Sequence, residues 1–389
     1  MLRARAPIAS LLAIVALLPL AAAAQARGHR VPYGKLPRDF IGTEFGEYFL
    51  TSKTPAQQDV QIGQMAASGI ETMRVPVYWE NIEPTKGTFT WFQTDSAIGM
   101  AAEHGIDALP MIYDAPVWAS TQPSMANAKD WPDPTELAGF MTAMIGRYGP
   151  AGSFWAANPQ LKPLPVRAWQ IWNEPEFDYF YGDRNFHQSF PLLMKAAYQA
   201  VHQADPGAVV VMAGLANTTN YYSWNDLAAF YKNGVKPYFD VLAINPFGVN
   251  FTDVTYILNK VRHVMAVNHD SRKPIWLTEL TWLASKGKIH PSDNLGLETT
   301  TAVQQASLKH AYLYFAKHKE VGVRRVYWYS WVTSYKPIGV LGSQPSFEYA
   351  GLNAGDANSI TPMHLLSVFR AVARKLEGCS YTLVAGVCR

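Results

Sequence analysis

Strand-like and helix-like stretches alternate along this chain, and that alternation restricts its fold more than any other feature. Residues 39–45 read as a first strand, followed by a helix with Thr54 as N-cap and Pro55 at its first position that stops at Gly69. Residues 71–77 form a second strand, and a helix over 95–104 leads to a third strand at 106–113. Asp133-Pro134-Thr135-Glu136 is a helix start with an N-cap, a proline and a Glu at N3, and the helix runs to about Tyr148. The fourth strand opens Ala168-Trp169-Gln170-Ile171-Trp172-Asn173-Glu174-Pro175-Glu176, where Pro175 stops it because proline has no N–H to give a ladder. A helix over 191–203, a strand at 209–212, a helix capped by Ser223, a strand at 239–245 and a helix over 253–268 continue the pattern. Residues 274–279, 300–319 and 326–331 supply strand, helix and strand, and Thr361-Pro362 opens a last helix that ends at Gly378. Alternation of this kind means parallel strands, and eight units predict a single closed (β/α)8 barrel. An open nucleotide-binding sheet would carry a Gly-rich phosphate turn after an early strand, and this sequence has none.

The first 26 residues stand outside that pattern. Arg3 and Arg5, an apolar run over 8–20 and Ala24-Gln25-Ala26 compose a secretory signal peptide, too short to serve as a membrane span. The barrel domain is therefore expected over residues 27–389, in a secreted or periplasmic protein. Without Arg3 and Arg5, 31 of the 33 basic residues remain against 30 acidic ones, a balance that gives no reason to invoke nucleic acid or an anionic membrane. Cys379 and Cys388 are the two cysteines, and in an exported chain such a pair is expected to be a disulfide. A monomer is expected, with no metal or other cofactor.

Barrel chemistry lies at the C-terminal ends of the strands. The strands deliver Glu44 there, then Arg74 with Trp79 just after it, then Tyr113, Asp114 and Trp118. Asn173 and Glu174, Asn245, Glu279, and Tyr329 with Trp331 follow from strands four, six, seven and eight. Each has a dull explanation alone, since an arginine can pair at a barrel rim and a tryptophan can be core. Two glutamates on the tips of separate apolar strands are harder to assign to packing, because a carboxylate there is expensive unless the site uses it. Such a pair suits acid–base and nucleophilic work on one bond.

At these residues the chain resembles glycoside hydrolase clan A, the retaining barrel glycosidases, and families 5 and 39 in particular. Trp172-Asn173-Glu174-Pro175 is similar to the clan's acid/base motif, and Glu279 in Trp276-Leu277-Thr278-Glu279 to its strand-seven nucleophile. The segment Arg74-Val75-Pro76-Val77-Tyr78-Trp79 and the strand-eight Trp331 match further clan features. The resemblance covers essentially the whole chain after the signal. It implies a hydrolase of β-linked poly- or oligosaccharides in which Glu279 attacks the sugar and Glu174 is acid and then base. It also implies that Asn173 holds the sugar 2-hydroxyl, while Trp118 and Trp331 stack on sugar rings. Arg74 would keep Glu279 ionised, and the negative charge of Glu279 would raise the Glu174 pKa. Trp79, Asn245 and Tyr329 complete the expected substrate site. One departure is Asn245-Pro246-Phe247, where the family 5 pattern has a His and a Tyr. Phe247 cannot donate a hydrogen bond, so Tyr329 or Tyr113 is expected to support Glu279.

Two other classes compete. A metal-dependent barrel hydrolase would want histidines at strand tips, whereas His187, placed in the loop after strand four, is the one histidine expected near the cleft. A non-catalytic sugar-binding barrel would keep the aromatic residues but has no need of both glutamates.

Overall fold

The computed structural model describes residues 36–46, 53–122, 131–218, 221–333, 344–355, 359–379 and 383–388. The expected signal peptide lies outside them. The strands of the barrel are β1 (Ile41–Glu44), β2 (Thr72–Tyr78), β3 (Asp107–Tyr113), β4 (Ala168–Ile171), β5 (Val209–Val211), β6 (Leu242–Asn245), β7 (Ile275–Leu280) and β8 (Val323–Trp328). All barrel pairings are parallel, in the order β5-β4-β3-β2-β1-β8-β7-β6, and the strand after β6 in that order is Leu215–Ala216. Leu215–Ala216 continues β5 after a three-residue break. The two ends of the sheet are thus one interrupted strand, and bridging of Val211 to Val241 closes the ring.

Helices follow the strands: α1 (Pro55–Ala66), α2 (Phe92–Glu103), α3 (Pro134–Tyr148), α4 (Phe186–Ala204), α5 (Ser223–Lys232), α6 (Phe251–Val267), α7 (Thr301–Lys317) and α8 (His364–Glu377). Their starts follow local chemistry. Thr54 and Gln57 form a capping box at α1, and Asp133 accepts the N–H groups of Thr135 and Glu136 at α3. Three expected starts differ. Helix α4 begins five residues before Pro191, which sits inside it and leaves the His187 carbonyl without its helical donor. Ser223 is the first residue of α5 rather than its cap, and its hydroxyl accepts from Asn217. Thr361-Pro362 belongs to a short antiparallel pair, Asn353–Gly355 with Ile360–Pro362, and α8 starts only after it.

Two layers of packing result. The large core lies between strands and helices, where the odd positions of β2 (Met73, Val75, Val77) meet the helices. A smaller cluster (Leu109, Ala168, Val211, Val241, Ala243, Trp276 and Tyr327) fills the barrel itself. Gly42 is glycine because a Cβ there would sit 2.7 Å from the Tyr327 ring. At the N-terminal end of the barrel the hairpin Leu383–Val384 with Val387–Cys388 packs under α1, with the Ala385 N–H on the Ala66 carbonyl. A disulfide between Cys379 and Cys388 ties that hairpin to the end of α8. Among the described residues, no helix is long and apolar enough to cross a membrane.

Candidate active site

Arg74 is the centre of the C-terminal end. Its place in β2 puts it inside the barrel, directly opposite Glu44 in the β1–β2 register, and its side chain is completely buried. An unpaired guanidinium there would be untenable, so the neighbours supply acceptors on every side. Nη1 donates to Glu44 and to Glu279 at 2.7 Å, Nε to Gln170 at 2.8 Å, and Nη2 to Asn173 at 2.8 Å.

Plain strand geometry could not bring those groups together. Gln170 and Asn173 are three residues apart, and a regular pleat would put them on opposite faces. The tip of β4 breaks its alternation through two non-glycine residues in the left-handed region, Trp172 at φ +69° and Glu174 at φ +40°. Strain of this kind costs roughly 1–3 kcal/mol per residue and persists where the surroundings over-determine it. Here the Trp172 N–H is held by Ile112, its indole N–H by Phe180, and the Glu174 N–H by Gly214. Adjacent Thr278 and Glu279 also both face the cluster, because the β7–β8 register slips between Leu277 and Leu280 and re-aims the strand tip.

Asn245 holds Glu174. Its Nδ2 donates to Glu174 at 2.8 Å. The Thr278 hydroxyl donates to Asn245 Oδ1 at 2.7 Å, which fixes which way the amide faces. Gly214, in the break of strand five, gives this amide its room: a Cβ there would lie 2.6 Å from Asn245 Oδ1 and 2.8 Å from Thr278 Oγ1.

Burial drives the electrostatics. Glu174 is pushed up to about 8, first by desolvation and next by the charge of Glu176, against the Asn245 hydrogen bond and Arg74. Burial and Glu176, rather than the expected charge of Glu279, are the larger causes. Glu279 is pushed up to about 7 by burial, with Arg74 the leading opposing influence and Glu174 adding to the rise. Glu176, two residues beyond Glu174, is itself raised to about 8 by burial. One of its oxygens accepts the Ala216 N–H, and the other has no hydrogen-bond partner in the structure.

The structure brings Glu44, Arg74, Asn173, Glu174, Asn245 and Glu279 into one cluster, and adds Gln170, Glu176 and Thr278. It separates the tryptophans. Trp79 is fully buried, stacked on Phe140 of α3 with its N–H on Glu83. Trp331 is also fully buried, with its N–H on Gln61 of α1. Both therefore pack the outer core, contrary to the expected sugar contact, since hydrophobic burial outweighs a rim position in deciding where an indole goes. Trp118 is half-buried, edge-on to Trp79 and under the ammonium of Lys86. Tyr329 sits half-buried beside Phe347, whose ring also meets Phe247. His187 lies within α4 rather than in a loop, bonded to Asp226 at 2.8 Å. Among the described residues no group of three or more His, Cys, Asp and Glu is placed to hold a metal ion.

Fold and cluster together define a (β/α)8 barrel with buried, paired carboxylates at the C-terminal end of its strands. Its structural neighbours are glycoside hydrolases of families 39, 5 and 10. A family 39 glycoside hydrolase from Bacteroides cellulosilyticus WH2 superposes with a TM-score of 0.59 at 18% identity, over 87% of this chain and 64% of that one. A monomeric β-xylosidase from Caulobacter crescentus CB15 gives 0.57 at 15% identity over 86% and 68%. A psychrophilic family 10 endo-β-1,4-xylanase gives 0.54 at 14% identity over 88% and 98%. At such identities the likeness is one of fold, and this chain spans slightly less than two thirds of the family 39 structure. No protein-family model and no curated protein matches the sequence.

Proposed function

We propose that this protein is a retaining glycoside hydrolase acting on β-linked poly- or oligosaccharides, with Glu279 as nucleophile and Glu174 as acid/base. The observation that carries the reading is the pair of buried glutamates at the tips of two strands, Glu279 held by Arg74 at 2.7 Å and Glu174 by Asn245 at 2.8 Å. Both leave directly from strand ends with no long loop to spread them, which favours the about 5–5.5 Å of a retaining pair over the about 6.5–9.5 Å of an inverting one. The roles follow from the partners. Arg74 bonds Glu279, which favours the carboxylate a nucleophile needs, whereas Glu174 is held by a neutral amide and has the higher pKa.

In the first step a Glu279 oxygen bonds to the anomeric carbon as the bond to the leaving oxygen breaks, and Glu174 gives its proton to that oxygen. In the second, Glu174 takes a proton from water, the water oxygen bonds to the same carbon, and Glu279 is released. Asn173, whose Oδ1 accepts from Arg74, binds the 2-hydroxyl in this reading. The neighbours support the reading through their own chemistry, which includes β-xylosidase and endo-β-1,4-xylanase activities. The disulfide supports export to an oxidising compartment.

The test is a panel of 4-nitrophenyl β-xyloside, β-glucoside and β-mannoside, with NMR reading the first-formed anomer of a cleaved substrate. A β product is expected, and an α product would end the retaining mechanism.

A further inference from the structure

The turn that carries Glu174 is strained, and something must hold it against relaxation. Trp172 and Glu174 both lie in the left-handed region, where a non-glycine residue stays only if its surroundings over-determine it. Part of the hold is ordinary ladder. Asn173 bridges Gly214 in parallel fashion, and the Glu174 N–H bonds the Gly214 carbonyl. In a regular parallel ladder the next rung would run from the Ala216 N–H to the Glu174 carbonyl. That rung is missing. The Glu174 carbonyl accepts the Phe177 N–H instead, as the chain turns out of the sheet at Pro175. Ala216 is buried, so its N–H would be an orphan donor beside the carboxylates. The Glu176 side chain fills the gap: its carboxyl accepts the Ala216 N–H in place of the backbone.

The other neighbour of Ala216 gives this bond its meaning. Ala216 is the register partner of Asn245, whose amide holds the Glu174 carboxyl. The contacts therefore form a closed circuit. It runs from the Glu174 side chain to Asn245, across the ladder to Ala216, to the Glu176 carboxyl, and through Pro175 back to the Glu174 backbone. Both ends of Glu174 are thus referred to one rung of the sheet. Glu176 is itself buried, so little water competes for the bond. Resting on the glycosidase reading, we infer that Glu176 is a positioning residue, whose carboxyl replaces the missing rung and holds the acid/base turn so that Glu174 meets the leaving oxygen.

Two measurements on the full chain test this, each with Glu176→Ala, Glu176→Asp and Glu176→Gln. Glu176→Asp keeps the acid but draws its carboxyl back by one methylene, whereas Glu176→Gln keeps an acceptor oxygen at the same reach. In the first, backbone hydrogen exchange is followed by mass spectrometry over residues 172–178 and 212–218. Exchange there should quicken about 10-fold in Glu176→Ala and Glu176→Asp, the scale of one lost hydrogen bond, and stay near wild type in Glu176→Gln. Helix α8 should exchange at the wild-type rate in all three. Unchanged exchange in Glu176→Ala, or equal quickening in Glu176→Gln, overturns the tie.

The second is kinetic, on two β-glycosides of one sugar with a methyl and a 2,4-dinitrophenyl leaving group. It is run at about pH 6, below the raised values of both glutamates, so that lost charge does not enter. A displaced acid matters only where the leaving oxygen needs its proton. Glu176→Ala and Glu176→Asp should therefore lose about 10–100-fold in kcat/KM on the methyl glycoside and less than about 3-fold on the aryl one. Glu176→Gln should stay within about 3-fold of wild type on both. Equal loss on the two leaving groups overturns the positioning role. Quickened exchange in a protein whose wild type cleaves no glycoside would support the tie and overturn the glycosidase reading instead.

Discussion

The two ends of the barrel bury charge in different ways. At the N-terminal end, Asp39 pairs with Arg325 at 2.5 Å, Asp107 with Arg38 at 2.6 Å, and Glu71 accepts the Ile41 N–H at 2.9 Å. The Arg325 guanidinium also lies 4.1 Å from the centre of the Trp276 ring, where it closes the bottom of the interior cluster. At the C-terminal end, Glu44 and Glu279 bond Arg74, and Glu174 and Glu176 lie beside them. Burial raises carboxylates at both ends, Asp39 to about 6 and Glu71 to about 8 below, Glu174 and Glu176 to about 8 above. A raised pKa therefore does not by itself mark the reactive end. What differs is the supply of counter-charge: below, each of the two aspartates bonds an arginine and Glu71 has a backbone N–H, while above, four glutamates share one arginine. A surplus of buried acid without cations destabilises the fold, and it leaves protons available for chemistry.

The comparison breaks most sharply at Glu279. Glu279→Gln should lower kcat/KM on every substrate by on the order of 10⁴-fold or more with little loss of melting temperature, as read by steady-state kinetics and thermal unfolding. Glu174→Ala should cost roughly 10²–10⁴-fold on substrates with poor leaving groups and far less on activated aryl glycosides. Added azide should restore its turnover and give the β-glycosyl azide; an α-azide from this variant would exchange the two roles.

Below, the expected loss is of another kind. Arg325→Met leaves Asp39 with only the exposed Arg38 at 3.5 Å, so it should lower stability by up to about 3 kcal/mol in denaturant titration, while turnover per folded molecule stays normal. Altered kinetics in that variant would mean that the two ends are coupled. The smallest effect is expected at Glu176. Its folded pKa lies above the unfolded value, so the protein loses stability as pH rises from about 4.5 through about 8. Glu176→Gln should therefore raise the melting temperature by about 2–4 °C at pH 9 and leave it unchanged at pH 5. It should also move the basic limb of the pH–rate profile to lower pH, because Glu174 loses a negative neighbour.

The strands and helices were legible because each carries its own period and its own stop signals. Thr54-Pro55, Asp133-Pro134 and Pro175 act locally, and the structure places those boundaries within a few residues. Glu174 and Glu279 were legible for a related reason, as carboxylates ending apolar runs. The tryptophans were not, because which side of a strand tip an indole takes depends on helices far away in sequence: Gln61 holds Trp331, and Phe140 covers Trp79. Glu176 and Gly214 were hidden differently. Nothing near Gly214 in sequence announces that Asn245 and Thr278, more than thirty residues away, will occupy the space of its side chain. Nor does the sequence show that two left-handed residues will turn Asn173 toward Arg74.

The hairpin tied by Cys379 and Cys388 has a consequence for how the molecule is assembled. Leu383 takes the space a side chain at Gly69 would need, and Gly386 lies against the Glu71 carboxylate. The floor of the barrel, beneath β2, is thus finished by residues that leave the ribosome more than three hundred positions after it. A growing chain could close its ring of strands and still hold Glu71 open to water. Oxidation of one sulfur pair then latches the floor, so completion of the barrel waits both on emergence of the chain past residue 388 and on an oxidant for that pair.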